Sequence, residues 1–331
     1  MTIELRPTEL QAEILGTFGS IFAKEASIER VRAAEPMGHD ASAWRRLCAL
    51  GCLEVAVPGA AESASSLPET TALAGLVGRH VAPVPFLESV AVARLLAAAQ
   101  HPALPDVLRG ERVITFAPRT LGSGPQVVPA GAVADGVLVI RDGAVLLVTR
   151  TPDRAAWAAN LGSSPVAVLD LDSERGDVVA ADGEIWRRLL QDWRLHLAAA
   201  LAELASRALE IGAEQARSRK QFGAPIGAYQ AVSHRLADLA TMVDAARLMV
   251  AKAAWARELG RGDAPVLGEM AWVQATRTSE DASSATVHFL GGYGITEEYD
   301  AQLYFRRAKA WALLGGGRRA GIDRLAVGLL G

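Results

Sequence analysis

Cysteine is nearly absent from this chain: Cys48 and Cys52 are the only two in 331 residues. Residues four apart share a helix face. A structural zinc site takes four ligands, however, and no histidine flanks the pair, so they read as small buried apolar residues rather than a metal site. A disulfide is not expected in a reducing compartment. The sequence also has no apolar run approaching the roughly 18 residues of a membrane span. Its first ten residues, MTIELRPTEL, carry early acids and no apolar stretch, so no signal peptide is expected. Nor is charge of one sign concentrated anywhere: 34 basic and 37 acidic residues are interspersed, for a net charge of -3. That excludes a basic nucleic-acid block and an acidic solvating tail. The expectation is a soluble, cytoplasmic protein with neither nucleic-acid nor membrane partners. Half of its residues (50%) are hydrophobic, enough for a large core spread over two or three domains.

The hydrophobic period changes twice along the chain. Leu10, Ile14, Phe18 and Phe22 recur as one helical stripe. A second helix is expected over Ala43–Leu50, stopping near Gly51, then a loop from Pro58 through Gly59–Ser66. Helices over Thr70–Arg79 and Leu87–Ala99 flank Ala82-Pro83-Val84-Pro85-Phe86, where the prolines forbid helix. From Arg112 the pattern alternates. Strand-like runs follow at Gln126–Pro129, Gly136–Arg141, Ala144–Thr149 and Val166–Leu171, with Asp142-Gly143 as a hairpin turn. From about Trp186 long helical stripes return: Leu197, Leu201, Leu204, Ala208 and Ile211, then Val232 through Val250, then a third helix from Val266 to Phe289. The fold class is therefore mainly α with a small β-domain. The divisions are a helical domain over 1–110, a β-domain over 111–185 and a helical bundle over 186–331.

Two segments carry the chemistry. Arg217-Ser218-Arg219-Lys220-Gln221-Phe222-Gly223 stands between the first two long helices, and His288-Phe289-Leu290-Gly291-Gly292-Tyr293-Gly294 follows the third. A guanidinium such as Arg219 beside an amide such as Gln221 suits a pyrophosphate, through charge-assisted bidentate bonds. Gly291, Gly292 and Gly294 remove side chains, so that backbone N–H groups can approach a bulky anion. The bland alternative is that Arg219 pairs with an acid and the glycines only cap a helix. No cluster of metal ligands is evident.

With Leu303-Tyr304-Phe305-Arg306-Arg307-Ala308-Lys309 beyond them, these segments resemble, in order and separation, the C-terminal bundle of acyl-CoA dehydrogenases. The resemblance extends to Trp44…Gly51…Val57-Pro58 and Ala82–Phe86 and is weakest in the β-domain. It implies an acyl-CoA dehydrogenase-like fold: N-terminal helices, a reduced middle β-domain and a C-terminal four-helix bundle. It also implies that Arg219, Gln221, Phe222, His288, Gly291, Gly292 and Gly294 grip the adenosine diphosphate half of an FAD held mainly by a neighbouring subunit. His288 stands where the family usually has glutamine.

The same resemblance exposes what is missing. The family's catalytic glutamate falls at Gly315, and the flavin-holding threonine and glutamine after it fall at Gly317 and Arg319. Glycine takes no proton, so no catalytic residue is assigned. The alternative base position, on the first bundle helix, falls at about Trp193. The adjacent Asp192 is rotated by about 100° around a helix and should point elsewhere. Ile114-Thr115-Phe116-Ala117-Pro118-Arg119-Thr120 replaces the flavin-contacting segment of the β-domain. The pattern is similar to that of the catalytically incomplete (beta) subunits of actinobacterial α2β2 acyl-CoA dehydrogenases. The implied role is that of a clamp serving a catalytic alpha subunit, with the acyl-CoA substrate bound mainly by that partner. The branch is associated with steroid side-chain CoA esters in cholesterol catabolism, and its electrons usually pass to an electron-transferring flavoprotein. Two alternatives stay open: a homomeric flavoprotein with a displaced base, and a non-enzymatic scaffold that has lost FAD.

Overall fold

The computed structural model describes residues 9–57 and 67–330. The loop expected at Pro58 through Gly59–Ser66 lies outside the described residues. Six helices come first: α1 (Glu9–Glu25), α2 (Ile28–Ala33), α3 (Ala41–Ala49), α4 (Leu67–Arg79), α5 (Phe86–Ala98) and α6 (Leu104–Leu108). Six short strands follow: β1 (Ile114–Phe116), β2 (Gln126–Val128), β3 (Gly136–Arg141), β4 (Ala144–Thr149), β5 (Ala167–Leu169) and β6 (Asp177–Ala180). The rest is α7 (Gly183–Ser218), a two-residue pair β7 (Lys220–Gln221) and β8 (Ala224–Pro225), then α8 (Gln230–Glu258), α9 (Ala264–Leu290), α10 (Ala301–Leu314) and α11 (Gly317–Leu330).

The chain forms two compact units. One comprises Ala23–Thr70 and Pro83–Arg194. Its main sheet has the strand order β1-β3-β4-β6, with β1 parallel to β3 and the remaining pairs antiparallel. A separate ribbon pairs β2 with β5. Asp142 and Gly143 both take positive φ, +50° and +80°, which matches the right-handed twist of a two-residue hairpin and fixes the six-pair register of β3 on β4. Val137, Val139, Leu146 and Val148 alternate inward onto Val128, Ala167 and Leu169. α3 starts where the Asp40 carboxylate accepts from the backbone N–H groups of Ser42 and Ala43.

The other unit comprises Met1–Phe22, Thr71–Ala82 and Leu195–Gly331. Here α9 is central and packs against α8, α10 and α11. Small buried residues on α9 (Ala271, Ala275, Ser279, Ala282 and Ser283) let its neighbours come close. Two of its buried hydroxyls are satisfied by carbonyls, Ser283 donating to that of Ser279 and Thr286 to that of Ala208. Leu239 and Val243 of α8 meet Ala205 of α7 and Ala282 of α9 in one cluster.

Most of the long elements up to α9 lie where the hydrophobic period places them, whereas the short ones and the two C-terminal helices α10 and α11 escape it. The structure adds α2, α6 and β6, and α7 begins three residues before Trp186 and runs unbroken for 36 residues. A helix of one or two turns has too few positions for a period to show. Among the described residues no helix is long and apolar enough to cross a membrane, and no three His, Cys, Asp or Glu side chains cluster as metal ligands.

Candidate functional site

The segment after α7 folds into a miniature hairpin. Phe222 and Gly223 form its turn with φ of +51° and +83°, between the paired Lys220-Gln221 and Ala224-Pro225. Tyr229 braces it: its hydroxyl donates to the Gln221 carbonyl at 2.9 Å, and its ring meets the Phe222 ring edge-on at 6.4 Å. The turn thus holds up Phe222, which is 95% exposed. A large aromatic ring displayed on a braced turn leaves apolar surface uncovered.

Arg219 enters from the base of this hairpin. Its Nη1 donates to the carbonyls of Phe289 and Leu290, both at 3.2 Å, at the C-terminal end of α9. Those carbonyls have no partner within the helix and carry the negative end of its dipole, so a guanidinium is favoured there. Gly291 makes this seat possible. It caps α9 with φ +67° and ψ -141°, and a Cβ there would stand 3.2 Å from Nη1. The guanidinium has five N–H groups, and these two bonds engage one nitrogen. Among the described residues Arg219 pairs with no acid; it is both a helix cap and the wall of a groove.

That groove, about 620 Å³, runs between the start of α8 and the end of α9, and its lining brings together Arg219, Gln221, Phe222, Tyr229, Arg235 and His288. Its size suits a small-molecule site. Of the seven expected contact residues, Arg219, Gln221, Phe222 and His288 line the groove, while the three glycines do not. Gly291 touches the groove through Arg219, and Gly292 faces open space. Gly294 is buried, and a Cβ there would meet the Val287 carbonyl at 2.5 Å, so packing alone demands it. Tyr229 and Arg235 were not legible in the sequence, where both read as ordinary residues at the start of a helix.

Gly315 lies at the end of α10 with nearly helical dihedrals, so its lack of a side chain is a matter of space. A Cβ there would stand 2.2 Å from Cη2 of Trp272 and 2.6 Å from its Cζ2. The Trp272 indole is fully buried. It is also anchored, with Nε1 donating to the Gly317 carbonyl at 3.3 Å, and Gly321 lies over its other edge, where a Cβ would be 2.6 Å from Cδ1. Nothing in the sequence connected Trp272 with Gly315, 43 positions later. Arg319 is exposed and paired with Asp323 at 3.3 Å.

In the other unit, Asp192 and Trp193 diverge as adjacent helical residues must. Asp192 accepts from Arg94 Nε at 3.1 Å, with both side chains largely buried. The ion pair occupies the Asp192 carboxylate on the Arg94 side. The Trp193 ring packs edge-on against Phe116 at 5.0 Å. Beside it lies Glu88 of α5, whose carboxyl is pushed by burial up to about 7; its own backbone and the Trp193 indole only partly offset this. The indole N–H has no acceptor in hydrogen-bonding geometry, so its help to a carboxylate is weak.

Residues 184–329 match the C-terminal domain of acyl-CoA dehydrogenases. Over 94% of both chains, the sequence is 31% identical to the acyl-CoA dehydrogenase IpdE2 of Mycobacterium tuberculosis. Among solved structures, a Tcur3481–Tcur3483 steroid ACAD variant superposes with a TM-score of 0.87 at 29% identity, covering 97% of this chain and 98% of that one. The ChsE4–ChsE5 complex of M. tuberculosis superposes with a TM-score of 0.83 at 26% identity, covering 99% of each chain.

Proposed function

Because the chain belongs to the acyl-CoA dehydrogenase family, we propose that it is the partner subunit of a heteromeric, FAD-dependent acyl-CoA dehydrogenase. In this role it offers the Arg219 groove to the adenosine diphosphate half of an FAD held mainly by a catalytic subunit. One contrast carries the reading. Arg219 stands in an open groove beside His288, whereas Gly315, at the expected base position, is packed against the Trp272 ring.

The groove fits the anionic half of FAD. It offers a guanidinium, the Gln221 amide, the His288 imidazole and the aromatic side chains of Phe222, Tyr229 and Phe289, which is the chemistry that diphosphate and adenosine take. FAD, when bound, supplies the acceptor for the hydride leaving the β-carbon of the acyl-CoA. Removing the α-proton needs a carboxylate beside the thioester. Neither expected base position supplies one: Gly315 has no side chain, Trp193 is an indole, and the adjacent Asp192 is held by Arg94. Its own residues bind and orient the cofactor and leave proton transfer to the catalytic subunit.

Two further observations favour an obligate assembly. Leu313, Ile322, Val327, Leu329 and Leu330 leave apolar surface exposed on α10 and α11, as expected of an interface rather than a free surface. Both solved relatives reported above carry paired names, and one is described as a complex. The substrate class we assign is a steroid-derived CoA thioester, following the steroid ACAD. Electrons would pass to an electron-transferring flavoprotein in the cytoplasm.

The test is a tagged purification from the native host, recording the visible spectrum and identifying the accompanying chains by mass. One flavin per pair of unlike chains is the expected result. A yellow protein made of this chain alone would establish a homomeric flavoenzyme, and a colourless protein without a partner would establish a scaffold. In the complex, Arg219→Ala is expected to weaken flavin retention about tenfold or more, the effect of losing a charge-assisted hydrogen bond. A scaffold would not respond.

A further inference from the structure

The groove contains a cation that the partner-subunit reading has not used. Arg235 lies on α8 and lines the groove wall with Arg219 and His288. Among the described residues it takes part in no ion pair or hydrogen bond. Asp281, in the same groove, is engaged by Arg277 at 3.7 Å.

A second groove of similar size, about 650 Å³, provides the contrast. It is lined by Arg207, Arg217 and Arg247. Each of them touches a carboxylate: Glu210 at 3.0 Å, Glu214 at 2.9 Å and Glu203 at 2.6 Å respectively. Positive charge there is neutralised within the chain. In the first groove Arg235 has no carboxylate partner among the described residues.

Geometry adds to charge. Tyr229, which caps α8, and Val232 and Arg235 within it recur every third residue and line the groove wall. Six residues of helix advance about 9 Å, and long side chains on a helix lean back toward its N-terminus. Arg235 therefore lines the same groove as Arg219 and His288. Arg219 is already engaged on one side by two backbone carbonyls, and a pyrophosphate carries a negative charge on each phosphate.

We propose that Arg235 is the second cation of this site, so that a nucleoside diphosphate is held between two guanidinium groups, one at the end of α7 and one on α8. The proposal rests on the partner-subunit reading. It deepens that reading by assigning a binding residue outside the two motif segments.

The test uses the co-purified flavin complex, with FAD release followed by flavin fluorescence at increasing sodium chloride, and with thermal midpoints as the folding control. Arg235→Gln is expected to raise the FAD dissociation constant about tenfold and to flatten its salt dependence, because one phosphate–cation contact is gone. Arg235→Lys, which keeps the charge and loses the fork, should recover part of both. If Arg219→Gln weakens FAD while Arg235→Gln matches wild type in affinity and salt slope, the second-cation proposal fails and the partner-subunit reading stands. A lower thermal midpoint with unchanged FAD affinity overturns it as well. If neither arginine matters, or no flavin complex forms, the clamp itself is wrong and the proposal goes with it.

Discussion

Gly315→Glu is expected to destabilise the bundle by several kcal/mol and to create no second active site. The added Cβ would stand 2.2 Å from a buried indole that is itself anchored to the Gly317 carbonyl, and real carbon atoms do not approach so closely. Forcing atoms into a packed core costs typically ~1–3 kcal/mol through displaced rotamers and backbone, occasionally more. Burying a carboxylate without a partner adds to that cost. Chemical denaturation of the two proteins measures the loss. A double-mutant cycle identifies the cause. Trp272→Ala alone should cost about 3–5 kcal/mol through its cavity, but Gly315→Glu should cost much less in that background than in wild type. If Gly315→Glu instead kept wild-type stability and its complex carried an extra flavin with extra turnover, the account of a filled and silent site would be wrong. This result would also separate two histories that look alike in sequence. A missing base in an open pocket could be restored by one substitution, whereas an occupied pocket cannot.

The second large effect concerns Glu88. Burial raises its carboxyl from 4.5 in the unfolded chain to about 7 in the folded protein. Below pH 4.5 both states keep the proton. Between about 4.5 and 7 the unfolded chain releases it while the folded protein retains it, so stability falls as pH rises. Above 7 both states are ionised and the full penalty remains, about 3 kcal/mol as an order of magnitude. Glu88→Gln keeps the shape and cannot ionise. It is expected to be more stable than wild type at pH 8, by up to about 3 kcal/mol, and nearly equal to it at pH 4. His39 works in the opposite sense. Burial, reinforced by Arg154, lowers it to about 4, so its contribution is lost as pH falls from its unfolded value toward 4. The readout is therefore the difference between wild type and Glu88→Gln at each pH, in which His39 cancels. A difference that does not change from pH 4 to 8 would mean that Glu88 is not buried as an acid.

What could be read in advance depended on the range of the interaction. β3 and β4 were found to the residue, because Gly136–Arg141 and Ala144–Thr149 alternate and Asp142-Gly143 dictates the turn between them. α4, α5 and α9 were placed within a few residues, because long stripes reveal a period, and α8 was placed at its start but runs eight residues beyond the Val250 end of its stripe. α2, α6 and β6 were not, because each is too short to show one. At the site, the Arg219 and His288 segments were legible as motifs, and the structure brings their side chains into one groove. Arg235 carried no signal. Its place in the wall comes from α8 packing alongside α9, and a lone arginine next to an apolar stripe looks like any solvated charge.

Sequence alone therefore determined the long periodic stretches and the β3–β4 hairpin, which segments can meet an anion, and that no carboxylate stands at position 315. Those are local properties, written in period, turn chemistry and residue type. Tertiary structure alone decided that Gly315 is occupied space, because Trp272 arrives there from another helix. It decided that Asp192 is tied to Arg94, from a helix 98 residues earlier. It also decided that Arg219 is seated on the end of α9 while Arg235, beside the same groove, has no partner among the described residues. Each of these joins residues far apart in the chain, and their meeting is set by how helices pack, on which one sequence read in order is silent.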